Sequence, residues 1–143
     1  MSKSLKDFVA DAKSRIREIS VADATALQAK GGVLILDVRE PAEWAEAHLA
    51  DALHVPRGML EAKADNDYPN REPRLADRSQ SIIVHCASGA RSAMAADVLQ
   101  QMGFSDVRSL AGGIAAWSAA GLPTQKGGRD CDSTPDLCPR RRE

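Results

Sequence analysis

Residues 81–92 read Ser81-Ile82-Ile83-Val84-His85-Cys86-Ala87-Ser88-Gly89-Ala90-Arg91-Ser92. Ile82, Ile83 and Val84 are apolar without alternation, the pattern of a strand buried on both faces in a parallel sheet. Small residues follow Cys86, and a helix is predicted over residues 92–102, stopped by Gly103. In open α/β sheets ligands bind at the carboxyl ends of strands, which is where Cys86 stands.

The same strand-then-helix rhythm extends in both directions. Upstream, a short alanine-rich helix over residues 24–30 stops at Gly31-Gly32, and Val33-Leu34-Ile35-Leu36 reads as a second buried strand ending at Asp37. Pro41 then opens a helix over residues 42–47, at the first-turn position where a missing N–H is harmless. A short strand is expected at 52–55, a helical turn at 57–63, and a polar loop at 64–78 around Pro69 and Pro73. Downstream come a strand at 106–110, Gly112-Gly113, and a last helix through Trp117. Strands alternating with helices predict an α/β domain with a largely parallel sheet. At the N-terminus Leu5, Phe8, Val9, Ala12, Ile16 and Ile19 recur at helical spacing, predicting one amphipathic helix over residues 1–19 that covers an edge of the core. Acids and bases mix on its polar face, unlike a membrane-surface helix. Residues 20–124 form the expected domain, and the Gly-, Pro- and charge-rich residues 125–143 a flexible tail.

With 143 residues, 43% of them hydrophobic, the chain can build one core rather than two. Nineteen basic and twenty acidic residues leave a net charge of −1, so no global field draws it to nucleic acid or to an anionic membrane. No apolar run approaches the ~20 residues of a membrane span. The first twenty residues lack a secretory core, and Asp7, Asp11 and Glu18 argue against a transit peptide, so the cytoplasm is the expected compartment. The three cysteines, Cys86, Cys131 and Cys138, make no disulfide framework. Cys131 and Cys138 are not spaced as a zinc or redox pair, and a passive tail is expected around them. The functional alternative is a tail thiol that accepts sulfur from Cys86 or protects it as a disulfide.

Cys86 carries the chemistry. Ala87, Ser88, Gly89 and Ala90 let the backbone curl so that successive N–H groups point at one spot, and the helix behind them adds its positive end. Such a cradle favours the thiolate, the reactive form of cysteine. An isolated buried cysteine is usually inert; the loop-end position and the neighbouring Arg91 favour a reactive one. Asp37 and Arg39 are read as structural, with Arg39 pairing to Glu40 or Glu43 at the strand-to-helix turn. Alternation turns His85 to the face opposite Cys86, which disfavours it as a general base. His48 and His54 lack metal-site spacing and are expected to be structural.

Several ordered stretches resemble one family. Asp37-Val38-Arg39-Glu40-Pro41-Ala42-Glu43-Trp44, then His48-Leu49-Ala50-Asp51-Ala52 with Val55-Pro56, then the loop 86–91, and finally Leu110-Ala111-Gly112-Gly113 with Trp117 and Gly121-Leu122-Pro123 are similar to the motifs of single-domain rhodaneses. The resemblance covers about residues 20–124 and implies a five-stranded parallel sheet flanked by helices. It implies a sulfurtransferase in which Cys86 takes a sulfane sulfur from thiosulfate or a similar donor as a persulfide. The sulfur then passes to cyanide or a thiol, a protein thiol included. By the same resemblance the backbone of Ala87, Ser88, Gly89, Ala90 and Arg91 holds the persulfide, and the Arg91 side chain closes the loop or meets the anionic donor. No metal or organic cofactor is implied. The alternative is a non-catalytic module that keeps the fold for partner contact; such modules often lack the cysteine. Related cysteine phosphatases and arsenate reductases use a loop one residue longer, with room for a tetrahedral oxyanion. Ala47 and Asp51 stand where the family usually has glycine, a departure in the scaffold.

Overall fold

The computed structural model describes residues 2–127. In chain order the elements are α1 (Leu5–Lys13), β1 (Arg17–Ile19), α2 (Val21–Lys30), β2 (Val33–Asp37), α3 (Pro41–Glu46), β3 (Leu53–His54), α4 (Leu60–Ala64), β4 (Ser81–His85), α5 (Ala90–Gln101), β5 (Asp106–Leu110) and α6 (Gly113–Ala119), with 3₁₀ turns at Arg57–Met59 and Pro73–Leu75. The five strands form one parallel sheet in the order β1-β5-β4-β2-β3. β4 is central, and both its faces are covered. Ile82 and Val84 join Leu36, Leu53, Val55, Leu60, Ala95 and Leu99 in one buried cluster, while Ile83 joins Ile35, Leu110, Trp44 and Trp117 in the other. This division of successive residues between two covered faces explains why the strand sequence does not alternate. Cys86 falls in the first cluster with Ile82 and Val84.

The N-terminal expectation fails in its second half. Helix α1 stops at Lys13, and Arg17-Glu18-Ile19 pairs with Arg108-Ser109-Leu110 as the edge strand β1. Ile16 and Ile19 do lie three apart, but three residues of strand are too few to display their own period. The fifth strand of the sheet was thus hidden in the predicted helix. Helix α1 itself is closed by a reciprocal cap between Ser4 and Asp7. Arg15 fastens the segment to α5 by donating to Asp97 at 2.9 and 2.7 Å while also holding Asp11. At the other end the chain stays bound past Thr124: Gln125 exchanges two backbone hydrogen bonds with His48, at 2.8 and 2.7 Å, and the Gly127 N–H donates to the Ala45 carbonyl. The first three residues of the expected tail therefore pack on the domain. The rest of it, with Cys131 and Cys138, lies outside the described residues. No described helix is long and apolar enough to cross a membrane.

Candidate functional site

Strand β4 delivers Cys86 into a loop that folds back on its own first side chain. Gly89 has φ +113°, a conformation open to glycine and costly for other residues. There its N–H donates to Cys86 Sγ at 3.1 Å. Helix α5 starts one residue later, and the Ser92 N–H reaches the same sulfur at 3.3 Å. The thiol donates to Ser92 Oγ at 3.5 Å, and that hydroxyl is linked in turn to Ser109 Oγ at 2.8 Å. Burial pushes the Cys86 thiol up, but the Ser92 hydroxyl and the amides of Ser92, Gly89 and Ser88 outweigh it, leaving the thiol below its ordinary value. On ionisation the Ser92 hydroxyl can rotate to donate to the sulfur. Of the expected cradle residues, Gly89 and Ser88 act on the sulfur, whereas the amides of Ala87, Ala90 and Arg91 take no part in these bonds.

The loop is backed by the start of α6. Ile114 N–H donates to the Cys86 carbonyl at 2.9 Å and Ala115 N–H to the Ala87 carbonyl at 3.1 Å. These bonds use amides of the first helical turn, which have no partner within the helix. The contact is close enough that a Cβ on Gly113 would lie 2.5 Å from the Cys86 carbonyl oxygen. The glycine pair read from sequence as a helix boundary is therefore also the floor of the Cys86 loop.

Arg91 points to α3. Its guanidinium makes a two-pronged ion pair with Glu43, at 2.7 and 2.9 Å, the geometry in which arginine–carboxylate recognition is strongest. Glu43 also accepts from the Glu40 N–H at 2.9 Å, so one carboxylate caps α3 and braces the cysteine loop. The bonds from Arg91 hold the Glu43 carboxyl down at about 2. The brace therefore stays charged wherever Cys86 titrates. The expected partnership of Arg39 with Glu40 or Glu43 is not formed. Arg39 instead folds back onto Asp37, with Nε 3.0 Å from Oδ1 and Nη2 2.9 Å from Oδ2, and donates to the Ala47 carbonyl at 2.6 Å. Asp37 is fully buried, and a buried carboxylate needs its compensating charge close by. His85 is also fully buried, with Nε2 3.6 Å from Asp37 Oδ2. Its proton affinity is lowered, chiefly by that burial. His48 and His54 both stack on Trp44, with ring centroids 3.7 and 4.8 Å away.

Sequence reasoning missed Ser92, Ser109 and Glu43. Ser92 follows the recognised loop directly, and a hydroxyl in the first turn of a helix behind a cysteine was an available signal. Ser109 is brought in by the pairing of Val84 with Ser109 across β4 and β5, a register no local pattern displays. The hydroxyl has a testable consequence: Ser92→Ala is expected to raise the Cys86 thiol pKa, since it removes the main bond favouring the anion. The acid limb of a pH–rate profile for Cys86 alkylation should move to higher pH, with a several-fold slower reaction at neutrality. An unmoved limb would show that the amides alone set the thiol.

Comparison with known proteins bears on this geometry. A family model described as a rhodanese-like domain matches residues 20–120. The chain is 38% identical over 93 residues to thiosulfate sulfurtransferase 16, chloroplastic, of Arabidopsis thaliana, covering 63% of this chain and 78% of the relative. It is 32% identical over 103 residues to the thiosulfate sulfurtransferase GlpE of Coxiella burnetii, covering 72% and 88%. Among solved structures, a Rhodopseudomonas palustris protein of unknown function, described as a possible tyrosine phosphatase, superposes with a TM-score of 0.81 at 33% identity, covering 87% of this chain and 96% of its own. The order of motifs along the sequence, the parallel sheet they build and the match over residues 20–120 agree, and the chain belongs to the rhodanese-like domain family.

Proposed function

We propose that the protein is a sulfurtransferase that moves a sulfane sulfur from thiosulfate or a similar donor to cyanide or a thiol through a persulfide on Cys86. The observation that carries this reading is the sulfur itself, buried to 1% exposure and yet held by two amides and a hydroxyl so that its anion is favoured. In the first step the Cys86 thiolate attacks the outer sulfur of thiosulfate; the S–S bond breaks, and sulfite leaves with the electron pair. In the second, an acceptor anion attacks the terminal sulfur of the persulfide, and the pair returns to Cys86. Both steps develop negative charge on sulfur at the cradle, where the Gly89 and Ser92 amides already point and the Ser92 hydroxyl can turn to donate. No redox agent or general base is needed once the thiol is ionised.

The description of the Rhodopseudomonas palustris neighbour as a possible tyrosine phosphatase favours one competing reading, phosphoryl transfer at the same cysteine. The four residues between Cys86 and Arg91 argue against it, since a tetrahedral oxyanion needs a wider ring of amides. So does Arg91, whose two-pronged grip is already taken by Glu43. One experiment separates the two. Incubation with thiosulfate is expected to add ~32 Da, removable by cyanide, as one-sulfur covalent transfer requires, while aryl phosphates are turned over no faster than background. Cys86-dependent phosphatase turnover without sulfur loading would overturn the proposal.

A further inference from the structure

A cavity opens beside β3, apart from the residues that hold Cys86. It encloses about 590 Å³ and is lined by Pro56, Met59, Lys63, Pro69, Arg71 and Pro73, among others. Two features stand out. Met59 is 43% exposed, one of the few large apolar side chains left open. Lys63 and Arg71 spend their donors on backbone carbonyls, of Asn70 at 3.1 Å and Tyr68 at 3.2 Å, and among the described residues neither has a carboxylate ion-pair partner. The carboxylate in the cavity wall, Glu72, is occupied in accepting from the Arg74 N–H at 2.9 Å. The cavity thus offers apolar side chains and two cations that make no carboxylate ion pair among the described residues, with the one carboxylate in its wall, Glu72, turned to the Arg74 amide; that pairing suits an anionic group on a hydrocarbon stem.

Its position gives that ligand a role. The cavity is reached from His54, Val55 and Pro56, where β3 ends, at the carboxyl edge of the sheet. Cys86 follows β4 at the same edge, with β2 between them. Two strand spacings, about 10 Å, separate the end of β3 from that of β4, and the cavity wall holds no residue of the 86–91 loop. We infer that this cavity is the acceptor subsite: it holds the carboxylate of a thiol acceptor between Lys63 and Arg71, with the stem along Met59 and Pro56 and the thiolate at the Cys86 persulfide. This rests on the persulfide reading above. The step balances as R–S⁻ plus Cys86–S–S⁻ giving R–S–S⁻ plus the Cys86 thiolate, the S–S bond of the persulfide breaking as the new one forms.

Mercaptohexanoate and mercaptohexanol, which share a stem spanning the gap and differ in the carboxylate, are the probes. With sulfur-loaded wild-type protein the carboxylate thiol is expected to show a KM about tenfold below that of the alcohol, the value of one charge-assisted contact in a partly open site. Lys63→Gln with Arg71→Gln should erase that difference while leaving the rates with mercaptohexanol and cyanide, and loading by thiosulfate, unchanged. Calorimetric binding of mercaptohexanoate to the Cys86→Ser protein, absent from the triple variant, tests the cavity without turnover. Equal KM values in the wild type, or a preference that survives the double variant, would overturn the inference. Failure of Cys86 to load sulfur would overturn the persulfide reading instead, and the calorimetric arm would still decide the cavity.

Discussion

Cys86→Ser is expected to abolish sulfur transfer, with a loss of at least about 10³-fold in rate and no gain of mass on incubation with thiosulfate. The fold should survive. A serine Oγ can accept the Gly89 and Ser92 amides that now reach Sγ at 3.1 and 3.3 Å, and it leaves only a small gap in the cluster around Val84 and Ala95. Burying the hydroxyl there costs about 1–2 kcal/mol. What cannot survive is the chemistry, because the cradle that favours the thiolate leaves a far less acidic aliphatic hydroxyl un-ionised. Circular dichroism and intact-mass spectra on the same sample check both halves. The variant keeps Cys131 and Cys138, so loading at wild-type rate would place the reactive thiol elsewhere in the chain. A folded protein that loads nothing, in wild type as in variant, would favour the non-catalytic module.

The site was readable where it depends on neighbours in sequence and unreadable where it depends on the sheet. Strand, cysteine, glycine turn and helix are contiguous over residues 81–92, and a run of unalternating apolar residues declares burial on both faces. β2 was legible for the same reason, and β5 and the two-residue β3 from the strand-and-helix rhythm around them. β1 was not: its three residues, Arg17, Glu18 and Ile19, carry one buried side chain, and their strand character comes from the free edge of β5 rather than from themselves. The hydroxyl pair Ser92–Ser109 exists because β4 and β5 align Val84 with Ser109. The pairing of Glu43 with Arg91 rather than with Arg39 was equally hidden. Both arginines sit within reach of Glu43 in sequence or in family motif, and what decides is that Asp37, at the end of β2, is buried and needs a cation. That demand takes Arg39 and frees Glu43, half-buried on α3, for Arg91 on α5.

The glycine at the start of α6 supports a prediction that sequence alone would have misjudged, since a glycine followed by Ile-Ala-Ala-Trp looks like an ordinary helix start. Gly113 has φ +59°, and a Cβ there would lie 2.5 Å from the Cys86 oxygen, 2.6 Å from the Ala87 carbonyl carbon and 2.7 Å from the Ala87 oxygen. All three are backbone atoms of the cysteine loop, so no side-chain rotation relieves the contact. Gly113→Ala must push the loop and α6 apart, which strains the bonds from Ile114 to Cys86 and from Ala115 to Ala87. The left-handed conformation costs an alanine about 1–2 kcal/mol, and overpacking against fixed atoms adds about 1–3 kcal/mol. The expected result is a melting temperature lower by about 10 °C or more. At a temperature where the variant is still folded, sulfur transfer should also be markedly slower, because displacing the Cys86 and Ala87 peptides moves Sγ relative to the Gly89 and Ser92 amides. Gly121→Ala is the control for conformation alone: its φ is +79° but nothing lies within 4 Å of the added Cβ. It should cost only the conformational part, about 1–2 kcal/mol, and leave the rate intact. Should Gly113→Ala melt with Gly121→Ala and transfer sulfur at full speed, the start of α6 would be shown not to hold the Cys86 loop in place.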